Sequence, residues 1–182
     1  MSTAKNADNE TATQSPDAPK ILVKTLQKGK AAKVHRVRLN KAVTKSYTDL
    51  VTHALYGRTK KDYKAVKDIR KGLPASSFGY LVKSLHTTEN YLLPIVGISD
   101  RTWQRRRKEK KPFDPVESDR LYRLAKIYAR AIEVFEDEAV ALDWLKSKNR
   151  ALGDVPLMLL DTEAGTDMVE RVLTRIEHGV YS

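Results

Sequence analysis

The chain has 182 residues, 34 Lys/Arg against 23 Asp/Glu for a net charge of +11, and no cysteine. That length holds one ordinary domain or two small helical ones rather than a large multidomain enzyme, and the missing cysteine excludes disulfides, thiolate metal sites and a Cys nucleophile. No apolar run approaches the ~18 residues of a membrane span, and the first residues lack the charged-then-apolar order of a secretory signal, so a cytoplasmic protein with no membrane partner is expected.

The charge is unevenly laid down. Residues 1–19 carry one Lys and three acids, residues 20–113 carry 24 Lys/Arg and six acids, and residues 114–182 carry nine Lys/Arg and fourteen acids. A basic block joined to an acidic one suggests a phosphate-facing part and a part that meets something else.

Residues 1–19 contain no Leu, Ile, Val or aromatic residue. They cannot bury enough surface to offset ordering entropy and are read as a disordered tail. Residues 20–60 are read as a basic, partly ordered arm. Within it Val34, Val37 and Leu39 alternate weakly with His35, Arg36 and Arg38, a short strand or more arm, while Ser46 to Tyr56 has helical character.

From there the pattern is helical throughout, so the fold class expected is all-α. A helix-turn-helix DNA-binding domain is assigned to residues 61–113. Asp62 to Lys71 forms a helix stopped by Gly72 and Pro74. Ser76 or Ser77 caps the next, in which Phe78, Leu81, Val82 and Leu85 form one apolar stripe. Thr87 or Thr88 begins a third, and Pro94 inside it is expected to kink it.

Glu89 to Lys111 then reads as apolar helix, glycine turn and strongly basic helix, the local grammar of a helix-turn-helix. Taking Gly97 as the turn puts Leu92, Val96, Ile98 and Trp103 where the two helices touch, with Ser99 or Asp100 as cap. At 100° per residue an inward Trp103 turns Arg101, Arg105 and Lys108 outward, flanked by Thr102 and Gln104. The expected DNA-facing set is therefore Ser99 with Arg101, Thr102, Gln104 and Arg105 at base edges, and Arg106, Arg107 and Lys108 on phosphates.

Residues 114–182 are read as a second unit. Asp114-Pro115-Val116-Glu117 is a capped helix start. The helix that follows aligns Leu121, Leu124, Ala125, Tyr128, Ile132 and Phe135. Helices from about Asp137 to Ser147 and from about Thr166 follow, the last ending at His178 and Gly179. One basic helix covers one half-site, so a homodimer or higher oligomer on DNA is expected, paired through the apolar stripes after Glu117.

No catalytic constellation emerges. Asp143, Asp161 and Asp167 share no face, and His35, His53, His86 and His178 have no i, i+4 pair and no HExxH. No Gly-rich phosphate loop or nucleophile elbow occurs. Trp103 and Trp144 are assigned to the core rather than to base stacking. No catalytic residue, metal ligand or cofactor is assigned.

GLP at Gly72 to Pro74, GISDRTWQRR at Gly97 to Arg106, and above all DWLKSKNRALGDVPLMLLDTEAGTDMVERVLTRIEHGVYS at Asp143 to Ser182 resemble the Xre/MbcA/ParS antitoxins over about residues 65 to 182. The resemblance implies the antitoxin of a type II toxin–antitoxin pair. Its partner would be a RES-domain toxin that consumes NAD or uses it to ADP-ribosylate a target. It also implies an Xre-like domain on double-stranded operator DNA of its own operon, and a C-terminal domain masking the toxin's NAD pocket. Carried onto this chain, the toxin-binding set is Leu152, Gly153, Pro156, Leu157, Asp161, Gly165, Arg175, His178, Gly179, Val180 and Tyr181. The alternative is a stand-alone helix-turn-helix repressor whose C-terminal helices only dimerise.

Overall fold

The structure, a computed structural model, describes residues 46–179. The expected tail at 1–19, the Val34 to Leu39 patch with His35, and Val180 and Tyr181 lie outside the described residues. Among the described residues the architecture is all-helical, with no strand. The helices are α1 Tyr47–Tyr56, α2 Ala65–Lys71, α3 Ser76–Ser84, α4 Glu89–Val96, α5 Asp100–Glu109, α6 Pro115–Phe135, α7 Glu138–Lys146 and α8 Glu163–Glu177. A 3-10 segment, Pro156–Asp161, precedes α8.

The long helix α6 is the axis on which the others pack. Asp114 and Glu117 close a reciprocal capping box at its start and Pro115 takes the first helical position, which satisfies donors the helix leaves orphaned. Leu121, Leu124, Ala125, Tyr128 and Ile132 are buried and Phe135 is half-buried against Trp144. This stripe touches α1, α2, α3, α4, α7 and α8 of the same chain. Those side chains are buried in the chain's own core, so a pairing surface on the helices after Glu117 would have to use other side chains.

The boundary drawn at residue 60 is corrected. Helix α1, opened by a Ser46–Asp49 capping box and closed by Gly57 in the left-handed region, buries Leu50, Val51, Ala54 and Leu55 against α3 and α6. Burying Leu50, Val51 and Leu55 contributes roughly 1.5–3 kcal/mol each, so this helix belongs to the folded body and not to an arm. Helix α2 starts three residues later than expected. The Asp68 carboxylate is held by Lys60 Nζ at 2.5 Å and by the Tyr56 hydroxyl at 3.0 Å, and the Tyr63 ring packs between Tyr56 and Tyr122, which keeps residues 62–64 in the loop.

The domain boundary drawn between 113 and 114 is not a break in packing. Phe113 donates its N–H to the Leu73 carbonyl at 2.9 Å, and Leu73 donates its own to Ser118 Oγ at 2.8 Å. Leu73 and Phe113 are both buried. Gly72, at φ 93°, lies so close to the Phe113 carbonyl oxygen that a Cβ would collide with it. The end of α2, the exit of α5 and the first turn of α6 thus form one knot.

Smaller departures have local causes. Helix α3 has no serine side-chain cap; Ala75 stands at its N-cap and Ser77 donates its N–H to the Pro74 carbonyl instead. Helix α4 runs through Pro94 to Val96; the carbonyl that Pro94 leaves without a helical donor belongs to Asn90, on the exposed side where water can serve it. Helix α8 begins at Glu163 because Thr162 Oγ1 accepts from Gly165 N–H at 3.1 Å.

Candidate DNA-reading helix and toxin-binding segment

The rotational phase of α5 is set from the inside. Trp103 is 2% exposed. Its ring lies 4.6 Å from that of Phe78 and stacks at 7° on Phe113, and its Nε1–H donates to Glu89 Oε2 at 2.8 Å. Ser99 caps the helix, accepting from Thr102 N–H and donating to Thr102 Oγ1 at 3.0 Å. The turn before it uses Gly97 at φ 76°, with Leu92, Val96 and Ile98 buried as expected.

With Trp103 inward, Arg101, Gln104, Arg105, Arg107 and Lys108 are exposed. Arg101, Arg105 and Lys108 make no ion pair among the described residues, so their full charge faces solvent. Arg107 is shared: Nη1 reaches Glu89 Oε1 at 3.3 Å and Nη2 donates to Gln104 Oε1 at 2.9 Å. Arg106 does not belong to the phosphate-facing set, which is a correction. Its guanidinium makes a two-pronged pair with the Glu117 carboxylate and lies over the Phe113 ring at 4.6 Å. Its side chain is 12% exposed, so it ties α5 to the first turn of α6.

The C-terminal segment is built differently. Asn149 Oδ1 accepts from the N–H groups of Ala151 and Leu152 and Gly153 adopts φ 74°, which folds a tight turn that delivers Leu152 inward. Pro156, Leu157 and Leu160 of the 3-10 segment are buried. A Cβ on Gly165 would strike the Leu159 carbonyl oxygen. Leu152, Pro156, Leu157 and Gly165, expected as contact residues, are interior in this chain and present little surface to a partner.

Gly153, Asp161, Arg175, His178 and Gly179 are exposed, and Met158 and Met168 add apolar surface at 39% and 38% exposure. Arg130 of α6 pairs with Glu177 through both nitrogens, at 3.0 and 2.5 Å. That hydrogen bonding holds the Glu177 carboxyl below its ordinary pKa and fixes the end of α8 against α6.

Residues 64–126 match the antitoxin Xre-like helix-turn-helix domain, and residues 130–179 match the antitoxin Xre/MbcA/ParS C-terminal toxin-binding domain. The chain is also similar to an Antitoxin Xre of Photorhabdus laumondii, 34% identical over 116 residues that cover 63% of this chain and 78% of that protein. It is 36% identical over 93 residues to an Antitoxin Xre of Yersinia enterocolitica, covering 50% of this chain and 63% of the other. A Prs ADP-ribosylating antitoxin of a Sphingobium strain is 28% identical over 152 residues, 78% of this chain and 94% of that one. The chain belongs to the Xre/MbcA/ParS antitoxin family.

In this antitoxin of a toxin–antitoxin system the helix-turn-helix match runs past α5 into α6. That agrees with the Arg106–Glu117 pair and with Arg120, whose Nη1 donates to the Val96 carbonyl at 2.9 Å beside Gly97. Helix α6 thereby holds both helices of the helix-turn-helix while its other end carries the start of the toxin-binding match. Glu89 and Arg120 escaped the sequence reading because their partners lie 14 and 24 residues away. Glu117 was legible only as a cap. Among the described residues no group of three or more His, Asp or Glu is placed to hold a metal ion, and no helix is long and apolar enough to cross a membrane.

Proposed function

We propose that this antitoxin neutralises a RES-domain toxin by covering its NAD pocket and represses its own operon by reading operator DNA with α5. It acts by binding, without catalysis of its own. The observation that carries the reading is the joining of two unlike surfaces on one helix: α6 anchors the unpaired cationic face of Arg101, Arg105 and Lys108 through Glu117 and Arg120, and it leads into the toxin-binding match. A relative whose name couples an antitoxin to ADP-ribosylation supports a partner that uses NAD, since ADP-ribosyl transfer takes its group from NAD. Specific affinity by this motif ordinarily needs two half-sites about one helical turn apart, so the DNA-bound form is a dimer or a larger assembly with the toxin.

The toxin-facing residues on this reading are Gly153, Asp161, Arg175, His178 and Gly179, with Val180 and Tyr181 following them in sequence. The test is co-expression of the full chain with the RES-domain protein encoded beside it, measuring growth and cellular NAD, alongside a gel shift on the upstream DNA. Restored NAD and a shifted band with a two-fold symmetric footprint are expected. A shifted band with no protection of NAD would leave a stand-alone repressor.

A further inference from the structure

We propose that the outward face of α2, together with Lys110 and Lys111 after α5, is a second DNA surface that holds the phosphates flanking the site α5 reads. The proposal rests on the DNA-reading role given to α5 above. In α2 Ala65, Asp68 and Ile69 are half-buried. At 100° per residue Lys67 and Arg70 then fall on the opposite side, with Lys71 beside them. All three are exposed, as are Lys64, Lys110 and Lys111, and none of the six makes an ion pair among the described residues.

The acids nearby do not neutralise this face. Asp68 turns toward the body, where Lys60 Nζ at 2.5 Å and the Tyr56 hydroxyl at 3.0 Å occupy its carboxylate. Asp62, before α2, and Glu109, at the end of α5, are exposed acids set against the six cations. A helix face that meets only water ordinarily interleaves both signs, whereas a block of one sign repels itself until a polyanion meets it.

The packing at the end of α2 puts this face next to the reading helix. Phe113 donates its N–H to the Leu73 carbonyl at 2.9 Å, and Pro112 Cβ lies 3.5 Å from where a Cβ on Gly72 would stand. Lys71 and Lys111 are the chain neighbours of Gly72 and Pro112. Pro74, Ala75 and Ser76, which follow α2, line one groove with Trp103, Arg107 and Lys110. The ends of α2 and α5 are therefore side by side. The ten residues of α5 make a helix about 15 Å long, and the major groove is about 12 Å wide. With Arg101 and Arg105 at base edges, the last turn of α5 comes out at the phosphate wall, and the cations of α2 continue along it. Contacts of that kind fix position and carry no sequence information.

The test measures the salt dependence of binding by the full chain to double-stranded DNA selected from a random pool. Lys67→Gln, Arg70→Gln and Lys71→Gln together should keep the Tm and the selected sequence and reduce the salt slope by about 2–3 units. Wild-type affinity should then fall about 40-fold more than the variant's between about 50 and 200 mM salt. Lys110→Gln with Lys111→Gln, outside the helices, should lower the slope by about two units without touching α2. Both variants should lose the outermost protected phosphates in a hydroxyl-radical footprint. Arg171→Gln removes one exposed cation from α8 and should leave the slope as it is. A wild-type slope in either of the first two variants, a changed selected sequence, or a slope lowered as much per charge by Arg171→Gln overturns the proposal. Arg105→Ala separates the two levels. If it binds the selected DNA as tightly as wild type, α5 is not the reader and the proposed operator binding falls too. If it loses affinity while the α2 variant keeps the wild-type slope, only the surface on α2 falls.

Discussion

Helix α5 and the segment from Asn149 to Gly165 both carry candidate binding residues, and they use their sequence in opposite ways. In α5 only Trp103 is buried, and Arg101, Arg105 and Lys108 stand in solvent. In the C-terminal segment Leu152, Pro156, Leu157 and Gly165, all within the stretch that carries the resemblance, are interior. A charged residue on an amphipathic helix reports a surface directly. An apolar residue or a glycine in a recurring motif reports the scaffold that shapes the surface, and the contact falls to its polar neighbours.

The largest effect expected from this contrast is at Leu157. Leu157→Ala should cost about 2–5 kcal/mol of stability, read as a lowered Tm, and should damage toxin neutralisation only through the fold. An unchanged Tm with lost neutralisation would return Leu157 to the contact set. Next comes Arg106. Arg106→Ala leaves Glu117 in a mostly buried place without its partner and should cost about 3 kcal/mol, visible in denaturant melts. Lys108→Ala should leave the melt unchanged and instead reduce the salt slope of operator binding by about one unit.

Four tyrosines extend the contrast to pH. Burial, the leading cause, raises the pKa of Tyr47, Tyr56, Tyr63 and Tyr128, helped at Tyr56 and Tyr128 by hydrogen bonds to Asp68 and Glu138. Their neutral form is favoured in the folded state. Stability is therefore full below the unfolded tyrosine pKa of about 10 and is lost as pH rises beyond it. A melt series from pH 8 to pH 11 should fall steeply only at its upper end. A flat profile would mean these hydroxyls ionise freely.

The helix-turn-helix was legible because its determinants are local: a turn glycine, a serine cap and one large apolar residue within a basic helix settle which face of α5 turns outward. Where contacts are long-range the sequence is silent. Arg106 lies about 60° from Trp103 on the helix, which put it near the inward face, yet the carboxylate that claims it belongs to the next helix. The ends of α5 and α6 carry no glycine signal either. Lys110 and Glu136 take the left-handed cap, at φ 52° and 54°, a place more usually given to glycine. The 3-10 segment Pro156–Asp161 has no 3.6-residue period, so its burial could not be read from spacing.

The account's central claim is that one folded body bears two separable surfaces, and titration of purified RES-domain toxin with two variants of the full chain tests it most directly. Arg105→Ala should bind toxin as wild type does while losing about 1–3 kcal/mol of operator affinity. Asp161→Lys with Arg175→Glu, both at exposed positions, should keep the Tm and operator binding and lose toxin affinity by about tenfold or more, about 1.4 kcal/mol. Wild-type toxin affinity in the second variant, or loss of both activities in either one, would contradict the claim.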